Sequence, residues 1–261
     1  MLLFLNAGLI DFYVQIPTMA SAMNIITKAL RKVYYMTIGK SPVLDRLFRY
    51  RGNPRDYWAK RGGQTYFEEQ EAVQDRSQRS LFIANEMAQL KFESFLEVGC
   101  GYGKQLQNIK ILKPEMSFAG CDFSRPQLLK GFEYFPAMQK RVVEADAEFL
   151  PFKDKSFDVV MSSAVILHNE YRKAQRIILE MIRVSRKFLV HNEDTDVTFS
   201  RYGYDLTKTY LAMNFRIVTS KQIPCSQNPE HTQFTVAEIP LNMERLHHED
   251  VPLCYHKTDA R

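Results

Sequence analysis

A short run of glycines behind an acid is the part of this sequence best suited to chemistry. Residues 97–103 read Glu-Val-Gly-Cys-Gly-Tyr-Gly, at the end of the apolar run Phe92–Val98. Glycine permits tight turns and lets a ligand approach the backbone closely. The spacing excludes two common nucleotide loops. A dinucleotide fingerprint needs a third glycine where Lys104 stands, and a P-loop needs glycine at Val98 and Ser or Thr at Gln105. What remains is E-x-G-x-G-x-G. A second acid, Asp122, closes the next apolar run about 20 residues further on, where a carboxylate is placed to accept both hydroxyls of a ribose. Together the two features favour a nucleoside-type ligand over a bare glycine turn and an ordinary turn aspartate.

Such residues need a scaffold. Seven runs have strand character: Phe92–Val98, Phe118–Cys121, Arg141–Ala145, Phe157–Ser162, Lys187–Asn192, Phe215–Ile223 and Gln233–Ile239. Helical patterns fall between most of them, at 104–112, 125–135, 170–185 and 206–213, and a polar helix-favouring stretch at 66–90 precedes the first. Alternating strands and helices predict an α/β protein with a mostly parallel sheet covered by helices on both faces. Ligands on such sheets bind beyond the carboxyl ends of the strands, near the point where strand order reverses. The glycine loop sits at such an end. Ser124 and Pro126 are suited to starting the helix after Asp122.

Four blocks then carry a family resemblance: FLEVGCGYGK, AGCDFSRPQLLKG, VVEADAEFLPFKDKSFDVVMSSAVILHN and LEMIRVSRKFLVHNE, spread over about 92–193. In this order and spacing the sequence resembles class I S-adenosylmethionine-dependent methyltransferases of the small-molecule, type 11 kind. The resemblance implies a Rossmann-like seven-stranded sheet in a domain placed at 64–240; a basic N-terminal helical extension (1–63) and a C-terminal tail (241–261) fall outside it. It also implies roles for particular residues. Glu97 would help hold the amino group of S-adenosylmethionine, and Gly99, Gly101 and Gly103 would lie under its methionine portion. Asp122 would bind the ribose, Phe123 would sit beside the adenine, and Asp146 with the Ala147 backbone would meet the adenine edge. Ser162 and Ser163 would line the pocket near the reacting methyl. In similar proteins a Tyr-Trp and an Arg ahead of the core help close the site, which points to Tyr57, Trp58 and Arg61; a purely structural anchor is the other reading of that tryptophan.

Methyl transfer to a neutral hydroxyl or an ammonium group requires loss of a proton, for which a positioned base helps. His168, after the fourth strand, is the candidate catalytic base, whereas His191, inside the fifth strand, reads as a packed side chain. Arg201, Tyr202 and Tyr204, after the fifth strand, are candidates for a wall selecting an anionic or sugar-like acceptor; a solvated loop with an aromatic anchor fits them equally.

Charge is uneven. The chain of 261 residues carries a net charge of +5, and residues 1–63, with ten Lys/Arg and three Asp, contribute +7, leaving −2 for 64–261. A nucleic-acid partner is therefore not favoured for the body of the protein. No Asn/Asp-Pro-Pro-Tyr motif follows the fourth strand, which argues against amino-group methylation of bases. A protein or RNA methyltransferase that uses the basic extension stays open, as does a methyltransferase-like binding protein without turnover. Residues 23–38 form a basic amphipathic pattern, Ile25, Ile26, Ala29, Leu30, Val33 and Met36 opposing Lys28, Arg31 and Lys32. It suits either docking on the protein itself or peripheral contact with an anionic membrane. The opening run MLLFLNAGLI lacks the leading positive charge of an export signal and is too short to span a bilayer; Met19 and Met23 offer later starts. Four scattered cysteines suggest a reducing, cytoplasmic setting with no zinc site or disulfide framework, and the histidines of the tail read as solvated.

Overall fold

The computed structural model describes residues 54–62, 66–72, 74–197, 201–226, 229–241 and 246–255. The amphipathic pattern at 23–38, and the extension up to residue 53, lie outside the described residues. By internal contacts the chain divides into Met1–Asp45 and Arg46–Arg261, and all described residues belong to the second unit.

The seven apolar runs become seven strands: β1 (Ser94–Val98), β2 (Ser117–Asp122), β3 (Val142–Glu144), β4 (Phe157–Ser163), β5 (Ser185–Asp194), β6 (Arg216–Gln222) and β7 (Thr232–Glu238). The described helices are α1 (Pro54–Gly62), α2 (Tyr66–Glu71), α3 (Gln74–Ala88), α4 (Lys104–Leu112), α5 (Arg125–Tyr134), α6 (Tyr171–Val184) and α7 (Leu206–Ala212). The strands form one sheet in the order β3-β2-β1-β4-β5-β7-β6. The first five pair in parallel, and β7 runs antiparallel between β5 and β6. Chain direction across the sheet reverses between β1 and β4, which makes their carboxyl ends the expected ligand site.

Because side chains alternate across a strand, the strands feed two separate cores. Phe95, Phe118, Val159, Met161, Val190 and Phe234 pack with Ile83, Ala84 and Met87 of α3 and Leu106 and Ile109 of α4. Leu96, Val98, Val160, Leu189 and Ala237 pack on the opposite face with Ala174, Ile177, Ile178 and Met181 of α6 and Tyr210 of α7. Positions 174, 177, 178 and 181 follow the i, i+3, i+4, i+7 spacing that gives a helix one apolar stripe. Burying each large side chain of this kind contributes about 1.5–3 kcal/mol before entropy is counted.

The same alternation decides which polar residues reach the ligand side. Counting by twos from Phe95, Phe118, Met161 and Val190 puts Glu97, Asp122, Ser163, Asn192 and Asp194 on the α3/α4 face. Ser162, His191 and Glu193 fall on the α6/α7 face.

The last described segment keeps His247 and His248 exposed, as expected of a solvated tail, but turns its apolar residues inward. Val251 and Leu253 are buried, the Val251 carbonyl accepts from Gln175 Nε2 at 2.8 Å, and the Asp205 amide donates to the Cys254 carbonyl at 2.7 Å. Tyr255 bridges back to Tyr204. The apolar Val-Pro-Leu run explains this: it completes the α6-side core. Among the described residues no helix is long and apolar enough to cross a membrane.

Candidate active site

The glycine loop is a chain of left-handed turns. Gly99, Gly101 and Gly103 have φ of 73°, 52° and 81°, a region costly for other residues. The amides of Gly99 and Cys100 fold back onto the Cys121 carbonyl at 2.8 and 3.0 Å, which ties the loop to β2. A Cβ on Gly99 would stand 2.4 Å from Val165 Cγ2, and one on Gly103 1.9 Å from Met138 Sδ. A side chain at either position would be strained by φ and would also have to displace Val165 or Met138.

Two buried carboxylates flank this loop. Asp122 accepts the Gly101 amide on Oδ2 at 2.8 Å and the Ser124 amide on Oδ1 at 2.7 Å. Burial pushes its pKa up to about 6 against the opposing pull of those two amides. Glu97 is buried too; desolvation, then the nearby Asp122 charge, push its pKa well above the usual carboxylate range. Its Oε2 is shut off from solvent and has no hydrogen-bond partner among the described residues. Such a group is costly unless a ligand completes it.

Above the loop lies a cavity of about 510 Å³, within the range of small-molecule and cofactor sites. Toward β2 and β3 it is lined by Asp122, Phe123, Gln127, Asp146 and Ala147. Asp146 holds the Glu148 amide on Oδ1 at 3.1 Å and faces Lys173 Nζ at 3.5 Å. Helices α1 and α2 form a cover: Tyr57, Trp58, Arg61 and Tyr66 line the cavity. The Trp58 ring meets the rings of His168 at 5.2 Å and Tyr66 at 5.9 Å, and its carbonyl accepts from Ser124 Oγ at 3.2 Å. The cover is tied to the glycine loop where Lys104 Nζ pairs with Glu71 at 2.6 Å.

Toward β5, the wall is made by Ser163, the 164–169 turn, Asn192, Asp194, Arg79 and Arg201. Glu193, beneath the turn, organises it. Its Oε1 accepts from Ser162 Oγ at 2.8 Å and from the amides of Val165 and Ile166 at 3.2 Å, and its Oε2 from the Leu167 amide at 3.2 Å. One side chain thus satisfies three consecutive amides of the segment that carries His168. Burial raises the Glu193 pKa to about 7 even so. His191 bridges Ser162 Oγ at 2.8 Å and Tyr210 Oη at 2.7 Å, and burial drops its pKa to about 3, so it is a neutral packed residue.

Most sequence-predicted residues converge on this cavity: Glu97, Gly99, Gly101, Asp122, Phe123, Asp146, Ala147, Ser163, His168 and Arg201 line it. Four do not. Gly103 shapes the turn into α4 from behind. Ser162 is fully buried on the other face of the sheet, bonded to His191 and Glu193. Tyr204 is 1% exposed, its hydroxyl donating to the Asn169 carbonyl at 3.0 Å, and Tyr202 stacks on it at 6.0 Å. The two tyrosines therefore support the wall from outside the cavity; the expectation that they face an acceptor is corrected accordingly. Arg79 and Lys173 are cavity residues that sequence reasoning missed. Each is one cation among several on the polar face of its helix, and only the i, i+4 position of Arg79 before the buried Ile83 hinted at its orientation.

Comparison with known proteins agrees with this architecture. A family model described as a methyltransferase domain matches residues 96–187. The phthiotriol/phenolphthiotriol dimycocerosates methyltransferase 1 of Mycobacterium ulcerans (strain Agy99) is 33% identical over 100 residues, 38% of this chain and 35% of that protein. The tRNA (carboxymethyluridine(34)-5-O)-methyltransferase of Arabidopsis thaliana is 33% identical over 90 residues, 34% of this chain and 20% of that protein. The matched segment thus spans about a third or less of these relatives. Among solved structures, phosphoethanolamine N-methyltransferase 1 of Haemonchus contortus, in complex with phosphoethanolamine and S-adenosylhomocysteine, superposes with a TM-score of 0.60 at 15% identity, covering 82% of this chain and 53% of that one. That likeness is one of fold. Residues 96–187 match a methyltransferase-domain model, and the seven-stranded sheet shares the fold of that S-adenosylhomocysteine-bound methyltransferase.

Proposed function

We propose that this chain transfers the methyl group of S-adenosylmethionine to a small-molecule acceptor. The observation that carries the reading is the unpartnered, buried Oε2 of Glu97 beside the glycine loop. A carboxylate in that state fits an ammonium group, which would complete its hydrogen bonding and restore its charge. Asp122 keeps lone pairs for a ribose beyond its two amide bonds, and Phe123 with the Asp146–Ala147 turn provides an apolar and polar edge for an adenine. The residues present thus fit the cofactor.

Bound there, S-adenosylmethionine supplies an already activated methyl group, so the protein's share is orientation and exclusion of water. Trp58, Tyr57 and Tyr66 supply the cover. The turn held by Glu193 fixes Ala164, Val165 and His168 against the cavity. His168 is the side chain proposed to take a proton when the acceptor is a hydroxyl or an ammonium group. Isothermal calorimetry with S-adenosylhomocysteine tests the cofactor reading; no heat at millimolar ligand defeats it. His168→Ala is expected to keep that binding and lose turnover. Cytoplasmic placement with peripheral membrane contact through 23–38 is part of the proposal, tested by liposome flotation with and without residues 1–40.

A further inference from the structure

The β5 end of the cavity lies four strand spacings from β3, roughly 19 Å. There two arginines from distant parts of the chain meet on one carboxylate. Arg79 of α3 places Nη2 3.2 Å from Asp194 Oδ1, and Arg201 places Nη2 3.1 Å from Asp194 Oδ2. Asp194 is 5% exposed. Arg79 Nε donates to Asn192 Oδ1 at 3.0 Å, which fixes its fork, and Asn192 Nδ2 is itself used on Ser163 Oγ at 2.7 Å. Arg79 Nη2 is nevertheless shut off from solvent and, although close to Asp194, makes no aligned hydrogen bond among the described residues. Arg201 Nη1 holds Asp196 Oδ1 at 2.8 Å. Both arginines line the cavity.

We infer that this pair is a binding site for an oxyanion, a carboxylate or a phosphate ester, carried by the acceptor. Only the word acceptor rests on the methyltransferase reading; the anion site stands on the arginines. A guanidinium offers donors and no acceptor. A hydroxyl entering here would need a partner for its own proton, and Asp194 is already engaged: Oδ1 takes the Thr232 hydroxyl at 2.9 Å and faces Arg79, while Oδ2 faces Arg201. The group that fits is one made of acceptors alone. Because two aspartates balance two arginines, an anion is held by directed hydrogen bonds from the guanidinium N–H groups that Asp194, Asp196 and Asn192 leave over, rather than by a positive field. Asp194 keeps the two forks apart and prevents their mutual repulsion.

The test is titration of the full chain with methyl phosphate, acetate or glycerol, followed by NMR or calorimetry at constant ionic strength with chloride as the balancing salt. One of the two anions is expected to bind and glycerol is not; which anion binds separates a phosphate ester from a carboxylate. Arg79→Gln and Arg201→Gln should each weaken binding roughly tenfold or more, with Arg201→Lys recovering only part, since an ammonium lacks the fork. Thermal melting identifies folded variants, and Arg201→Gln alone suffices if Arg79→Gln does not fold. Binding no stronger than chloride, equal binding by folded variants, or preference for glycerol would overturn the inference. Anion binding without S-adenosylhomocysteine binding would defeat the methyltransferase reading and leave this one standing.

Discussion

The two ends of the cavity are built by different means. At the β1/β2 end the backbone does most of the shaping: three left-handed glycines and turn amides fixed on Asp122 and the Cys121 carbonyl. At the β5 end polar side chains drawn from α3, β5 and the segment after it stand beside the 164–169 turn, whose amides are held by the Glu193 side chain. Backbone turns tolerate few substitutes, whereas side chains can be exchanged without disturbing the sheet. A shared chemistry at one end and a changeable specificity at the other is the expected result.

Asp122→Ala should break the first end most severely. It removes a ribose acceptor and frees two amides, and S-adenosylhomocysteine affinity is expected to fall about 100-fold, roughly 3 kcal/mol. Anion binding at the Arg79–Arg201 end should persist in calorimetry; a joint loss would show that the ends are not separable. Glu193→Gln strikes the boundary between them, because an amide group cannot accept all the hydrogen bonds that Glu193 now accepts, and a cost of about 1–3 kcal/mol is expected.

The same variant has a pH signature. The folded chain holds the Glu193 proton up to about pH 7, above the unfolded carboxylate value near 4.3. This contribution is fully present at low pH and lost as pH rises through about 7, on the order of 3 kcal/mol. Urea melts between pH 5 and 8 should show a flatter loss in Glu193→Gln than in the wild type. Trp58→Ala removes ring contacts worth about 1 kcal/mol, and stopped-flow should show S-adenosylhomocysteine leaving several-fold faster. Tyr204→Phe sharpens the assignment of the tyrosines: about 1 kcal/mol of stability lost, with anion binding unchanged.

The strands and the glycine loop were legible because their signals are local. Seven apolar runs with helical patterns between them predict the sheet, and glycine spacing predicts the turn. Ser162 and Ser163 show where locality ends. Both stand at the end of β4, and only counting alternation from the packed Met161 reveals that Ser163 alone faces the ligand side. Tyr204 misleads for a related reason. Its partners, the Asn169 carbonyl and Tyr255, are 35 and 51 positions away, and an aromatic that closes a core looks in sequence like one that closes a pocket. Arg79 was illegible because a surface-type helix hides one inward cation among its neighbours.

The insertion of β7 between β5 and β6 also sets an order of assembly. As the chain leaves the ribosome, β1 to β5 can pair as soon as residue 194 is available, so the cofactor loop has its full strand support early. Among the described residues, strand β6 has no neighbour in the sheet except β7, and must wait for it. Thr232, which steadies Asp194, arrives with β7. The β5 end of the cavity is therefore completed only after the glycine-loop end, and a chain stopped before residue 232 would carry the glycine-loop end without the Thr232 support of Asp194.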